Sequence, residues 1–175
     1  MLDSAQVALL WLLRRVWLSL PLILTIAFML AMTAPMDLLP VPAPDIALIA
    51  VFFWALSGPN FLPPVAVLVL GLAQDFVTGT PIGFWALIYL LAYGFTLSQR
   101  VFFKGRTGFG AWVGFAIVAA LTAIASWLLG SIVYTRWLPP AQIYLQAAVS
   151  ILAYWPVSKV FSLMRRSLTT ARDGL

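Results

Sequence analysis

Residues 46–74 read IALIAVFFWALSGPNFLPPVAVLVLGLAQ and contain no charged side chain. The sequence SGPN at 57–60 interrupts this apolar run, and Gly, Pro and Asn in succession strongly indicate a turn. The segment therefore forms either one long broken helix or two helices, at about 44–57 and 61–77, joined by a tight turn. The number of helices in the whole fold depends on which alternative holds.

The composition of the chain is typical of a membrane protein. Of the 175 residues, 63% are hydrophobic and 9% are charged, whereas globular domains have roughly 45–50% apolar and about 25% charged residues. Ten basic and five acidic side chains are too few to cover the surface of a water-soluble domain of this length. We therefore expect an all-α integral membrane protein that forms a single transmembrane domain.

Further uncharged segments on both sides of residues 46–74 are long enough to cross a hydrocarbon core of about 30 Å as helices. Residues 1–15 precede them as a cytoplasmic or interfacial N-terminus, and 164–175 follow them as a basic cytoplasmic tail. The proline-rich loop with Asp37 and Asp45 contains no basic residue, so we expect it to be extended and outside. The predicted spans are 16–34, 44–57, 61–77, 83–98, 110–134 and 142–163.

The distribution of basic residues favours two crossings for residues 46–74. Two crossings place nine of the ten Lys and Arg residues in the cytoplasm and leave only Arg136 outside. A single crossing would move seven of them to the outer face, against the tendency of basic loops to stay inside. The sequence thus predicts six transmembrane helices with both termini cytoplasmic. The second span is short, because ~14 helical residues reach only about 21 Å, and it must be shielded by neighbours or lie where the bilayer is thin.

Several kinds of chemistry are excluded by residues that the chain lacks. It has no His and no Cys, and all five acidic residues are Asp. Zinc sites, thiolate nucleophiles and Ser-His-Asp triads need these missing side chains, and no phosphate-binding GxxxxGK[ST] loop is present. We therefore expect a protein that is not an enzyme and has no cofactor, no metal site and no nucleic-acid partner.

The segment GLAQDFVTGTPIG at 71–83 places Asp75 near the outer end of the third span. In one interpretation, Thr80 and Pro81 begin the next helix. The carboxylate then caps that hairpin, with Gly83 allowing a tight backbone. In the other, Asp75 is a proton, ion or partner site, because ionisable residues in membrane segments are candidates for such roles. The sequence offers no second ionisable relay, which favours capping without excluding the alternative.

Polar side chains recur at helical spacing on the fourth and sixth spans. They are Tyr89, Tyr93, Gln142, Gln146 and Ser150. They can form hydrogen bonds between helices, or they can line a ligand cavity. We favour hydrogen bonding, because no charged residue is predicted to accompany them at membrane depth.

Three surfaces are candidates for contacts outside the bundle. The first is the outer hairpin at 75–83. The second is the aromatic outer end of the fifth span, and the third is a basic cytoplasmic loop that can instead bind anionic lipids at ~1 kcal/mol per basic residue. The residues of the second surface are Tyr134, Arg136 and Trp137, and those of the third are Arg100, Lys104 and Arg106.

The stretch GLAQDFVTGTPIGFWALIYLLAYG at 71–94 resembles the central signature of the rod shape-determining protein MreD family. The matching features are a helix ending in GLxxD, a turn with a PxG step, and a helix rich in aromatic and aliphatic residues. Gly71, Asp75, Pro81 and Gly83 are the positions that correspond. The resemblance implies a multi-pass protein of the bacterial inner membrane, with the six-helix fold of the substrate-binding subunits of ECF vitamin importers.

The same resemblance implies a non-catalytic scaffold of the cell-elongation machinery. Its expected partners are MreC, RodA with a class B penicillin-binding protein, and the MreB filament, besides anionic lipids. Two other functions remain open. One is a substrate-binding subunit of an ECF-type importer, for which Ala27 and Ala31 resemble a docking pattern. The other is a secondary transporter or lipid translocase, against which stand the single acidic residue predicted within the membrane and the lack of recognisable paired halves with broken helices.

Overall fold

The computed structural model describes residues 42–58, 62–100, 108–137 and 139–173, together with Ile23, Thr25 and Ile26; side chains are described as far as Arg165. This part of the chain is all α-helical, as predicted. Its helices are α1 (Ile46–Ser57), α2 (Pro64–Thr78), α3 (Phe84–Ser98), α4 (Phe109–Val133) and α5 (Pro140–Asp173). Most of the first predicted span lies outside the described residues.

Residues 46–74 form two helices and not one broken helix. The first, α1, ends at Ser57, and the N–H of Gly58 donates to the Trp54 carbonyl over 3.0 Å. The second, α2, begins at Pro64, where proline is favourable because the first helical N–H has no intrahelical partner. The turn chemistry at 57–60 therefore separates the two elements, in agreement with the alternative that the charge distribution favours.

The short helix α1 lies at the centre of the bundle. Ile49, Ala50, Val51 and Phe52 have no exposed surface, and α1 packs against α2, α3, α4 and α5. A 12-residue helix is about 18 Å long, which is too short to match a bilayer. The difference between the length of α1 and the thickness of the bilayer has little consequence, since α1 is shielded by protein and does not face lipid.

Aromatic rings hold α1 between α4 and α5. The ring of Phe52 lies 5.5 Å from Phe115 and 5.8 Å from Tyr154, in both cases edge to face. Phe115 and Tyr154 in turn stack on each other at 4.7 Å. Such pairs contribute about 0.5–1.5 kcal/mol each beyond the area they bury, so they fix α1 between its neighbours.

The helices α2 and α3 form a hairpin in which the two backbones touch. A Cβ atom added at Gly71 would lie 2.3 Å from Cα and 2.6 Å from the backbone N of Ala86. Only glycine allows so close an approach. This contact explains why a glycine stands at the start of the GLxxD pattern.

Two of the helices are long and apolar enough to cross a membrane. They are α4 and residues Pro140–Arg165 of α5, with mean hydropathies of 2.2 and 1.4, while α1, α2 and α3 are shorter apolar helices. The outer face of α4 exposes large aliphatic side chains at steps of three or four residues, as a lipid-facing surface does. These side chains are Ile117, Leu121, Ile124 and Leu128.

The last helix, α5, continues beyond its predicted end at 163 as far as Asp173. It contains Pro156, which has no N–H to donate to the carbonyl four residues earlier. One turn away, the indole N–H of Trp112 donates to the Ile151 carbonyl over 3.0 Å. This bond ties α4 to α5 next to the interruption in the helical hydrogen bonds.

Candidate functional site at two buried aspartates

Asp75 lies at the end of α2 and is only 1% exposed. Its Oδ1 accepts from the backbone N–H of Trp85 over 2.8 Å and from the Thr80 hydroxyl over 2.9 Å. Its Oδ2 accepts from the backbone N–H of Gly83 over 2.8 Å. The carboxylate thus takes two of the first free N–H groups of α3, where the helix dipole also favours negative charge. This is the arrangement that the capping interpretation expects.

The start of α3 differs from the one expected at Thr80 and Pro81. The helix begins at Phe84, and its cap residue is Gly83, with φ of 97°. Because Asp75 supplies the capping oxygens from another helix, the cap does not require the Thr80 hydroxyl, which donates to the carboxylate instead. Pro81 is exposed in the turn and precedes the helix without starting it.

Asp45 is a second buried carboxylate, 8% exposed, at the N-terminus of α1. Its Oδ1 accepts from the Leu48 N–H over 2.9 Å and from the Tyr89 hydroxyl over 2.8 Å. Its own backbone N–H donates to the Ser150 hydroxyl over 2.8 Å. Asp45 therefore connects α1, α3 and α5 through hydrogen bonds to its side chain and backbone.

The sequence places Asp45 in an extended loop on the outer side, and the structure shows it at the end of a non-helical segment but buried. The residue caps α1 and is enclosed by neighbouring helices, because the free N–H groups of α1 need an acceptor inside the protein. The local signal was present in the sequence, since an Asp directly before an apolar helical run is a typical N-cap. Its burial was not visible there. Asp37, from the same predicted loop, lies outside the described residues.

The polar residues of the fourth and sixth spans divide into two groups. Tyr89 and Ser150 form hydrogen bonds between helices, both to Asp45, and the Tyr93 hydroxyl donates to the Leu62 carbonyl over 2.9 Å. Gln142 is exposed. The expectation that no charge accompanies these residues is corrected by Asp45, which lies among them.

A small cavity adjoins Asp45 and has a volume of about 30 Å³. It lies between α1, α3, α4 and α5. Its lining combines polar and apolar residues: Asp45, Leu48, Trp85, Ala119, Thr122, Ala123, Ser126, Ile143, Gln146, Ala147 and Ser150. Trp85 connects the two aspartates, because its side chain lines this cavity while its backbone N–H donates to Asp75.

The other two predicted surfaces are only partly described. At the end of α4, Tyr134, Arg136 and Trp137 are all exposed, with Trp137 at 80%. The Trp137 ring also packs against Trp127 at 5.4 Å. Of the basic loop, Arg100 is half-buried, and Lys104 and Arg106 lie outside the described residues.

Within the described part of the chain, no group of three or more His, Cys, Asp or Glu side chains could share a metal ion. Each aspartate instead lies alone among hydrogen-bond donors at a helix N-terminus. This arrangement suits structural capping and the binding of one small polar group.

Apolar helices with a lipid-facing α4 and a buried polar centre define an α-helical membrane protein. Residues 13–165 match the model of one such family, the rod shape-determining protein MreD. The chain belongs to the MreD family, so it is a membrane protein that determines rod cell shape, and the resemblance at 71–94 is confirmed. Searches of curated proteins and of solved structures gave no match.

Proposed function

We propose that this protein is a six-helix scaffold of the bacterial inner membrane with both termini in the cytoplasm. The family match over residues 13–165 is the observation that carries the proposal, and it spans the apolar part of the chain almost completely. The five described helices supply five of the six proposed crossings, and residues 16–34 supply the other. The positive-inside distribution of basic residues gives the orientation.

The scaffold binds MreC and couples the MreB filament to the synthase formed by RodA and a class B penicillin-binding protein. It performs no reaction of its own. The absence of His and Cys from the chain supports this part of the proposal, because the usual nucleophile and metal chemistry needs those side chains. Binding would then use surfaces that the folded helices expose.

The outer hairpin is the surface best suited to a partner. Asp75 holds the turn through three hydrogen bonds, two of them to backbone N–H groups, while Phe76 is 75% and Ile82 76% exposed. Large apolar side chains on a rigid turn lose little conformational entropy on binding, and such preorganised anchors favour affinity. We propose that this hairpin contacts the membrane helix or adjacent segment of MreC.

At the opposite end of the bundle, basic residues bind anionic lipid headgroups. Arg100 follows α3, and the guanidinium of Arg165 lies 3.5 Å from the Ser57 hydroxyl at the end of α1. Each basic residue near an anionic surface contributes about 1 kcal/mol. This end is the cytoplasmic one in the proposed topology, where such lipids attract positive charge.

An importer subunit is not favoured as the alternative. Sites for small molecules usually occupy about 300–1,000 Å³, whereas the polar cavity among the described helices measures about 30 Å³. A larger opening of about 280 Å³ between α3 and α4 is lined by apolar side chains apart from Thr122, so it lacks the set of polar groups that orients a small molecule in its site.

Affinity purification of the tagged protein from native membranes in mild detergent tests the scaffold. We expect mass spectrometry to recover MreC together with RodA and its penicillin-binding protein. Phe76→Ser combined with Ile82→Ser should reduce the recovery of MreC. Val65→Ser is the matched control, because Val65 is also apolar and 69% exposed but lies at the other end of α2.

Three outcomes contradict the proposal. Equal recovery of MreC with the hairpin variant and the wild type would exclude the hairpin as its contact. Absence of MreC and the synthase from the wild-type preparation would exclude the scaffold. A stoichiometric metabolite, or an ATPase-driven transporter core in the same preparation, would show that the protein is an importer subunit.

A further inference from the structure

We propose that the cavity beside Asp45 binds a single monovalent inorganic cation, with sodium as the first candidate. The proposal goes beyond the scaffold function and does not depend on it. It rests on three features of the cavity: a buried carboxylate, hydroxyl groups that present only acceptors, and a volume that suits one small ion.

The first feature is the negative charge of Asp45, which has hydrogen-bond donors but no countercharge among the described residues. No basic side chain there is paired with this carboxylate, which accepts from neutral donors that include the Leu48 N–H and the Tyr89 hydroxyl. A charge enclosed by helices is unfavourable unless opposite charge or strong hydrogen bonds compensate it. A cation in the adjoining cavity would supply the missing positive charge.

The second feature is the hydrogen bonding of the hydroxyl groups on α4, the helix that forms one wall of the cavity. The Thr122 hydroxyl donates to the carbonyls of Val118 and Ala119, both at 3.0 Å. The Ser126 hydroxyl donates to the Ala123 carbonyl at 3.0 Å. A hydroxyl has one hydrogen and two lone pairs, so each of these groups can offer the cavity only an acceptor.

The Ser150 hydroxyl on the α5 wall is in the same state, while the neighbouring Gln146 amide carries an acceptor oxygen beside its N–H donors. The Ser150 hydroxyl donates to the Gln146 carbonyl over 2.7 Å and accepts from the Asp45 N–H. Oxygen acceptors around a carboxylate are the ligands that hard cations prefer. A water molecule could also donate to these acceptors, but a cation gains the additional Coulomb attraction of the Asp45 carboxylate.

The third feature is the volume of the cavity and the number of carboxylates in its lining. A cavity needs about 10–15 Å³ to hold one water molecule, so about 30 Å³ has room for a sodium ion with one or two waters. Calcium and magnesium sites usually combine several carboxylates with other oxygen ligands. The cavity has the single carboxylate of Asp45, which matches one positive charge.

Such an ion would join four helices at one point. Asp45 belongs to α1, Trp85 to α3, Thr122 to α4 and Ser150 to α5, and all four side chains line the cavity. A ligand that binds only the folded state stabilises it in proportion to the logarithm of its concentration above the dissociation constant. The protein should therefore melt at a higher temperature when the ion is present.

The test uses the purified full-length protein in detergent and measures its melting temperature. Sodium chloride is titrated against choline chloride at constant ionic strength, with potassium and lithium chloride as further arms. We expect a saturable rise in melting temperature with sodium and a smaller or weaker response to at least one other ion. Equilibrium binding of radiolabelled sodium should give about one ion per chain.

Two variants assign the response to the cavity. Asp45→Asn keeps an acceptor for the Leu48 N–H and should abolish the sodium response. Thr122→Val should raise the half-saturating sodium concentration by about tenfold, the equivalent of one lost hydrogen bond to a charged group. Thr96→Val is the control, because Thr96 is buried and donates to the Ala92 carbonyl at 2.7 Å but is not among the residues that line the cavity.

Equal melting temperatures in sodium, potassium, lithium and choline chloride, without bound radiolabel, would overturn the proposal and leave the cavity to water. A sodium response that persists unchanged in Asp45→Asn would also overturn it, because the ion would then bind elsewhere. Since the test needs no partner protein, its failure would leave the scaffold function untouched.

Discussion

The carboxylate of Asp75 accepts from three donors, two of them backbone N–H groups at the start of α3. The two oxygens bind different donors, since Oδ1 accepts from Thr80 and Trp85 and Oδ2 accepts from Gly83. The sequence favoured this residue as a cap for the next helix and left a functional role open. Which donors it takes depends on the turn geometry, which the sequence alone did not give.

Substitutions at Asp75 should separate the contributions of its two carboxylate oxygens to stability. Asp75→Asn keeps one acceptor and leaves one donor unsatisfied, so it should destabilise the protein by about 1–3 kcal/mol. Asp75→Leu leaves all three donors unsatisfied and should cost more and lower the amount of protein in the membrane. Thermal unfolding in detergent and immunoblots of membranes measure both effects.

A normal melting temperature and abundance in both Asp75 variants, combined with lost rod shape, would contradict the capping role. That result would show that Asp75 contacts a partner or an ion directly. Thr80→Val is the internal reference, because it removes only the hydroxyl contacts to Asp75 and Thr78 and keeps both backbone N–H bonds of the carboxylate, so it should have the smallest effect of the three.

Tyr89 and Tyr93 lie one helical turn apart on α3 and allow a matched comparison. Tyr89→Phe removes the hydroxyl that donates to the Asp45 carboxylate, and Tyr93→Phe removes one that donates to the neutral Leu62 carbonyl. Hydrogen bonds to charged groups contribute about 1.5–3 kcal/mol, against about 1 kcal/mol for neutral pairs. The melting temperature should therefore fall further in Tyr89→Phe, and an equal fall would argue against an ionised Asp45.

At the scale of elements, the hairpin of α2 and α3 depends on one backbone contact. Gly71→Ala places a Cβ 2.3 Å from the Ala86 Cα, so the helices must separate. Overpacking of this kind costs about 1–3 kcal/mol. We expect a lower melting temperature and less protein in the membrane.

Gly94→Ala is the control for this substitution. Gly94 also lies within a helix of the hairpin, but a Cβ there meets nothing within 4 Å. Because alanine is the better helix former, the variant should be neutral or slightly more stable. Equal destabilisation by the two substitutions would show that the close approach at Gly71 is not required.

The ends of the helices show which parts of an element can be predicted from the sequence. The turn at 57–60 was predicted from Gly, Pro and Asn, whose backbone preferences are local. The predicted span began at 83, one residue before α3, whereas the interpretation of Thr80 and Pro81 as the helix start was too early, because a carboxylate from α2 overrides their local start signal. Helix ends depend on tertiary partners more than helix centres do.

At the scale of the whole molecule, the six-span topology has a direct test. The chain contains no Cys, so single cysteines can be introduced without interference. Ile82→Cys lies in the turn before α3 and Ser98→Cys at the other end of that helix, and both positions are exposed. A membrane-impermeant maleimide should label Ile82→Cys in intact spheroplasts, and Ser98→Cys only after permeabilisation.

The reverse labelling pattern would contradict the orientation deduced from the basic residues. Residues 46–74 would then cross only once, or the N-terminus would lie outside. Unaltered cell shape with both cysteine variants is the control that the labelled proteins are correctly folded.

The sequence by itself predicted a helical membrane protein from its composition, two helices in residues 46–74 from local turn chemistry and the charges of the loops, and the MreD family from the resemblance at 71–94. It favoured a capping role for Asp75 without excluding a functional one. Only the tertiary structure placed α1 at the centre and brought Asp45 to Tyr89 and Ser150, which are 44 and 105 residues away. The physical reason is that burial and long-range hydrogen bonds depend on how helices pack, and apolar sequences allow many packings with similar composition.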